Sequence, residues 1–406
     1  MRARIPARFV LLAAILSGAT ACDSPVDRPG STLPGQCQAE TPSIGPKRTD
    51  ILFVIDNSGS MAEEQAAIAT ELPAFVEQLR QGGGVAQEFR VGVITTSVYR
   101  RTFINNREEY REYPNESGLL RPVPTTAGEP SAERFIEGTD PEVVAKFRRL
   151  VQQGTAGSGQ ESPFEAVRLA VASPAATQPL AQGGNGGFLR DGARLLIVVV
   201  TDEEDCSTTA RPPPVRLTED TSRDLCSEQA AELTSVGDYF DTFQGLKDSK
   251  GASREVLWAT IGPVALSDKR AGPIQETTAS GTVVRNVECP TSFGPGVRHR
   301  AMAERFDSRL ENLDSICKPS YRDTLVAIAE LATLSQSIDV VNLPDPRLAR
   351  VEVTRADGTV QTCSVANGDL RYDPSVGDAP ARLFFLGTCP RRADDRSIEV
   401  KLLCAG

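Results

Sequence analysis

Histidine is almost absent from this chain: His299 is the only one in 406 residues. Serine, cysteine and zinc chemistries that depend on imidazole would all run through that one side chain, which excludes most hydrolase mechanisms. Tryptophan is equally scarce, with Trp258 alone, and aromatic residues make up 5% of the chain. No C-x-x-C pair occurs, so the nine cysteines lack the spacing of a structural zinc site. The 44 basic residues, set against 54 acidic ones for a net charge of -10, form no block. Without a basic patch there is no electrostatic footprint for nucleic acid. Apolar runs long enough to cross a bilayer are also missing, since the N-terminal run spans only Phe9 to Leu16. What is present, 40% hydrophobic residues in an ordinary charged background, is the composition of a globular protein with a sizeable core.

Arg2, Arg4 and Arg8 precede the short apolar run, and small residues then lead to Ala21 and Cys22. This three-part layout reads as a secretory signal over residues 1–21. Small residues directly before a cysteine resemble the bacterial lipoprotein signal, which implies cleavage before Cys22, lipidation of that residue and attachment to a membrane of the cell envelope. Ala19 departs from the Leu such signals most often carry, and a soluble form cut near Ala21 is the alternative. Beyond Cys22, eight cysteines remain (Cys37, Cys206, Cys226, Cys289, Cys317, Cys363, Cys389, Cys404), an even number that suits disulfides in an oxidising compartment. Proximity in sequence selects Cys206 with Cys226 and Cys289 with Cys317.

Residues 22–49 are rich in Pro, Gly, Ser and Thr without apolar periodicity and read as a flexible linker. From 50 to 344, short apolar runs alternate with amphipathic stretches. Strands are expected at Ile51–Asp56, Phe89–Thr96, Leu195–Thr201, Val256–Ile261 and Ile338–Leu343; helices are expected at Glu63–Arg80, Pro141–Gln152, Glu161–Ala172, Ser227–Leu246 and Tyr321–Leu334. Strands apolar on both faces and separated by helices predict an α/β fold with a doubly wound, mostly parallel sheet. Tyr99–Gly138 and Ala265–Arg300 interrupt the alternation as polar loop insertions. Residues 345–406 change character, with a hairpin about Asp357-Gly358, and predict a small β module.

The segment ILFVIDNSGSM places Asp56, Ser58 and Ser60 where an apolar strand turns into a helix. A carboxylate and two hydroxyls at alternate positions there converge on the C-terminal edge of the sheet, where open α/β folds hold ligands. Such an oxygen set suits a hard cation, although the same residue types also serve as ordinary helix caps. A second apolar strand, LLIVVVTDEEDCS, delivers Thr201 and Asp202 to that edge.

On these two segments the chain resembles a von Willebrand factor type A domain, whose metal-ion-dependent adhesion site combines D-x-S-x-S on the first strand with a loop Thr and an Asp after the fourth strand. The resemblance spans roughly residues 47–345 and implies Asp56, Ser58, Ser60 and Asp202 as metal-site residues. It also implies a third-loop ligand within GTAGSGQESPFEAV, where Thr155 is the first choice, Ser158 the second and Glu161 a further oxygen. The implied metal is Mg²⁺, with Mn²⁺ or Ca²⁺ as substitutes, and the implied partner is a protein presenting an acidic side chain, with no bond cleavage. A structural envelope-assembly module in which the metal only stabilises the fold is the competing expectation. A hydrolase using Ser58 or Ser60 lacks a general base at recognisable spacing and a G-x-S-x-G elbow.

Other features read as structural. Glu203, Glu204 and Asp205 form an acidic run expected to be solvated, and Arg298, His299 and Arg300 a basic loop cluster of the same kind. Asn115-Glu116-Ser117 belongs to a polar insertion, and Trp258 sits in an apolar strand and is expected in the core.

Overall fold

Three seven-residue runs, TDILFVI, RLLIVVV and VLWATIG, are buried along their whole length, and burial on both faces is what a central parallel sheet demands of its strands. In the computed structural model, which describes residues 36–40, 48–81, 88–220, 223–272, 274–278, 281–286, 288–289 and 291–403, these runs lie side by side. Labelling the elements of this layer in chain order gives strands β1 (Thr49–Ile55), β2 (Phe89–Thr95), β3 (Phe135–Glu137), β4 (Arg194–Val200), β5 (Val256–Gly262) and β6 (Leu313–Ser315). The helices are α1 (Ala62–Gln81), α2 (Val143–Leu150), α3 (Pro163–Ala172), α4 (Val236–Gln244), α5 (Val297–Phe306) and α6 (Arg322–Thr333). The sheet order is β6-β5-β4-β1-β2-β3, all parallel except β3, which runs antiparallel to β2.

Alternation along β1 divides the core. Ile51, Phe53 and Ile55 face a layer that includes α1, α2 and α6, whereas Leu52 and Val54 face α3, α4 and α5. Trp258 is buried on the second face, stacked on Phe243 and Phe306 at ring-centroid distances of 5.6 and 5.8 Å.

Several expected elements differ. Both polar insertions contain regular structure: the first holds the hairpin Tyr99–Ile104/Arg107–Glu112 together with β3, and the second holds the hairpin Ile274–Thr278/Gly281–Arg285 and the start of α5. Their strands are short, and the outer strand of the first hairpin is exposed throughout, so no apolar period announces them. The stretch 227–246 is broken into a short helix at Leu225–Glu228 and α4.

The basic cluster is no solvated loop. Arg298 and His299 are buried on α5, where Arg298 pairs with Asp205 at 2.7 Å and so replaces an apolar contact that periodicity would have shown. Burial holds the His299 imidazole down at about 4, and neither nitrogen has a hydrogen-bond partner. An imidazole with a folded pKa below its unfolded value contributes stability that is present above pH 6.5 and lost as the unfolded chain gains protons. Between pH 6.5 and 5 the wild type is expected to lose about 2 kcal/mol relative to His299→Leu, read from paired urea denaturations. Parallel pH profiles for the two proteins would refute this.

The C-terminal module begins earlier than residue 345. Ser337–Val340 pairs with Ala381–Phe385 and belongs to the module, not to the central sheet. The hairpin about Asp357-Gly358 joins Ala349–Thr354 to Val360–Ser364, with Gly358 at φ 86°. The module docks at the start of β5: Glu255 accepts from the Ser335 and Ser337 hydroxyls at 3.1 and 2.7 Å and from the Gln336 amide, and the Arg391 amide donates to Gln336 at 2.7 Å. It therefore sits at the end of the sheet opposite the C-terminal edge.

Residues 22–49 are not linker throughout, because Gln36–Glu40 pairs antiparallel with Ser397–Leu403 in the module. Backbone pairing of this kind needs no apolar alternation and leaves no sequence signal. The signal region and Cys22 lie outside the described residues. Disulfides join Cys206 to Cys226, Cys289 to Cys317 and Cys363 to Cys389. Cys404 and the Cys37 side chain lie outside the described residues.

Candidate functional site

Strand register brings the candidate residues to one edge. Ile55 stands opposite Thr95 and Val200, so Asp56, Thr96 and Thr201 leave the sheet together at its C-terminal end. The chain departs from β1 into α1 on one face, while α4, which follows β4, packs on the other. The crevice between β1 and β4 is thus the switch point of the sheet, the standard ligand position in open α/β folds.

Asp56 is fully buried there. Its carboxylate accepts from the Ser58 amide at 2.8 Å and from the Thr201 hydroxyl at 2.6 Å. The Ser58 and Ser60 hydroxyls lie 3.1 Å apart. Gln65, buried on α1, donates to the Asp56 carbonyl at 2.8 Å and to the Gly154 carbonyl at 2.9 Å, and accepts from the Gly154 amide at 3.1 Å. One side chain therefore ties the Asp56 turn to the 154–159 loop. Asn57 adds three ties: its carbonyl accepts from the Gly157 amide at 2.8 Å, its Oδ1 from the Ser97 hydroxyl at 2.8 Å, and its Nδ2 donates to Glu116 at 3.0 Å.

Asp202 is buried at the end of β4, and neither of its carboxylate oxygens has a hydrogen-bond partner. The Ser60 hydroxyl lies toward it and partly eases its charge. Burial first, and then the neighbouring Asp56, push Asp202 up to about 8. Burial raises Asp56 as well, against the hydrogen bonds from Thr201 and Ser58. Glu161 is pushed well up by burial and by Asp56, with one oxygen held by Thr96 and the other unpartnered. Glu203 rises for the same reasons, burial followed by Asp56 and Asp202. Among the described residues no Arg or Lys forms an ion pair with any of these four carboxyls. Buried like charges without a base are held apart only by protonation or by a cation.

The acidic run is not solvated surface. Glu204 and Asp205 are buried; the Glu204 carboxylate accepts from the Val297 and Arg298 amides at 2.6 and 3.0 Å, closing the N-terminal end of α5. Cys206, bonded to Cys226, donates its amide to the Glu161 carbonyl at 2.7 Å and fixes the run from its far side.

Asp56, Ser58, Ser60 and Asp202 are therefore gathered at one edge. Thr155 sits exposed on the loop that packs over Asn57, and no hydrogen bond joins it to this group. Ser158 is committed elsewhere, donating to the Tyr99 carbonyl at 2.8 Å. Glu161, third among the loop candidates by sequence, is the loop residue that reaches the cluster. Among the described residues no three Asp, Glu, His or Cys side chains are grouped closely enough to hold a metal by themselves, so the oxygen set depends on its hydroxyls. Sequence reading did not assign roles to Gln65, Thr96 or Glu116. A glutamine on the apolar stripe of α1 was the available signal for the first, whereas the other two arrive from the end of β2 and from an insertion.

No protein-family model matches the chain, and no curated protein matches it. Among solved structures it is similar to the pilus adhesin SpaC from Lactobacillus rhamnosus GG in its open conformation (12% identity, TM-score 0.35, 89% of this chain and 39% of that one). It is similar as well to the proximal thread matrix protein 1 of the mussel byssus (12%, 0.31, 73% and 50%) and to three N-terminal domains of the type V pili tip protein Mfa5 from Porphyromonas gingivalis (11%, 0.30, 93% and 66%). The chain thus spans half or less of the first two. Similarity at this level assigns neither a family nor a function.

Proposed function

We propose that the chain is an exported, lipid-anchored binding protein of the von Willebrand factor type A kind, which engages a protein partner through a divalent cation at the β1–β4 edge. The observation that carries this reading is Asp202, a buried carboxylate with two unpartnered oxygens beside a second buried carboxylate and two serine hydroxyls. Native proteins rarely leave such atoms unsatisfied, and a hard cation satisfies both at once. The donor set fits Mg²⁺, with Mn²⁺ as a substitute; Ca²⁺, which takes more ligands at longer distance, fits less well.

Ser58, Ser60, Asp56 and Asp202 would hold the ion, with Thr155 or Glu161 as the contribution of the third loop. When bound, the ion supplies an electrophilic position that an incoming Asp or Glu side chain completes. The protein's part is to keep Asp56 oriented through Thr201 and the Ser58 amide, and to keep both loops in place through Gln65. Binding without bond cleavage is supported by His299: with both nitrogens buried and its pKa held near 4, it is unfit as a general base at neutral pH.

The test is a calorimetric Mg²⁺ titration of residues 22–406 with Cys22→Ser and disulfides formed, run beside Asp56→Ala. One-site binding lost in the variant supports the reading, with about 2.7 kcal/mol of added stability at a hundredfold excess over Kd. A folded wild type that takes up no Mg²⁺ sinks it. The rival reading, a structural module in which the metal only stabilises the fold, predicts that Asp56→Ala destabilises globally, whereas the binding reading predicts that it folds and fails to bind partner.

A further inference from the structure

The loop facing Asp202 carries an apolar side chain that the fold itself leaves unused. Phe293 is 64% exposed, the most exposed large apolar residue among those described. Its backbone is held firmly: the Phe293 amide donates to the Asp202 carbonyl at 2.7 Å. On one side, Ser292 bonds back to the Cys289 carbonyl through its amide at 3.0 Å and its hydroxyl at 2.7 Å, and Cys289 is bridged to Cys317. On the other side, a Cβ at Gly294 would lie 2.3 Å from the Glu204 amide nitrogen, so the loop presses directly on the acidic run. Gly296 follows at φ 69° and leads into the Glu204-capped start of α5. Val297, the first residue of α5, and Leu266, on the loop after β5, are also exposed, at 40% and 47%.

A single exposed Phe on a mobile loop would call for no explanation. A pinned Phe one hydrogen bond from a candidate ligand of the ion is different, because a rigid aromatic anchor loses little entropy on binding. Charge narrows the choice of partner. One acidic group completes the cation's shell, and the exposed Phe293 ring beside it is matched by an apolar side chain, because a charged or polar group set against it would be desolvated without a partner.

We infer that Phe293 is the apolar half of the binding surface, and that the partner is a protein segment with one acidic residue and a large apolar side chain within a few positions of it. This rests on the metal-dependent reading above.

The experiment is selection of a displayed random-peptide library on the full disulfide-bonded chain in Mg²⁺, with elution by chelator. Selected peptides are then measured by fluorescence anisotropy on wild type, Phe293→Ser and Asp56→Ala, each also titrated with Mg²⁺. The expected winners pair one Asp or Glu with a nearby Phe, Leu, Ile or Trp. Phe293→Ser weakens them about tenfold without changing Mg²⁺ affinity. Winners that lack the apolar neighbour, or that bind Phe293→Ser as well as wild type, overturn the inference and leave the metal reading standing. An absence of chelator-eluted peptides overturns it too, and the Mg²⁺ titration then shows whether the metal reading falls with it.

Discussion

Asp202→Asn is expected to make the metal-free protein more stable, by roughly 2 to 4 kcal/mol near pH 7, while removing its response to Mg²⁺. A carboxyl whose folded pKa lies above its unfolded value takes up a proton on folding. Its contribution is therefore unfavourable above the unfolded value, is largest above the folded one, here about 8, and shrinks steadily as pH falls between the two. The amide keeps the size of the side chain, carries no charge and ends its repulsion with Asp56. The same substitution replaces one of the two oxygens best placed for a cation by an NH2 group and takes the negative charge off the other. Chemical denaturation of both proteins with chelator and with saturating Mg²⁺ checks this: the wild type should gain stability from metal, and the variant should start higher and gain nothing. A variant that is less stable than wild type in chelator would show that Asp202 has protein partners and is not held for an ion.

Gly157→Ala is expected to cost about 2 to 3 kcal/mol and to weaken Mg²⁺ binding, whereas Gly159→Ala, two residues away, changes either by little. A Cβ at Gly157 would lie 2.3 Å from Asn57 Oδ1 and 2.6 Å from Ser97 Oγ, both buried and already bonded to each other. Nothing stands within 4 Å of a Cβ at Gly159, and its backbone is not left-handed. The methyl at 157 must push the loop away from the Asp56 turn or break the Asn57–Ser97 bond. Melting curves and metal titrations of the two variants separate close packing from a general intolerance of the loop; equal behaviour would show that the loop does not position the site.

Much of the central layer was legible because its physical cause is local. Strands β1, β4 and β5 read from their unbroken apolar runs, and α1 from Ile68, Leu72, Phe75 and Leu79 at helical spacing, all buried here. The edge strands β3 and β6 were not legible, since three residues carry no period. Helix α5 was missed because its buried face includes Arg298 and His299, and their burial is allowed by Asp205 and an aromatic neighbour, Phe164, that sequence does not place. The strand Gln36–Glu40 and the module strand Ser337–Val340 were misassigned for a related reason: partner choice in a sheet is made by the whole chain.

By itself, the sequence determined the α/β class, the D-x-S-x-S turn and the Asp at the end of β4, because alternation, caps and carboxylates act over a few residues. Only the tertiary structure decided which carboxyls share one low-dielectric edge, that Glu161 reaches it while Thr155 stays exposed, and that Glu204 closes α5. Those outcomes depend on strand register and on loops more than a hundred residues apart meeting without an opposing base, and neither is a property of any local segment.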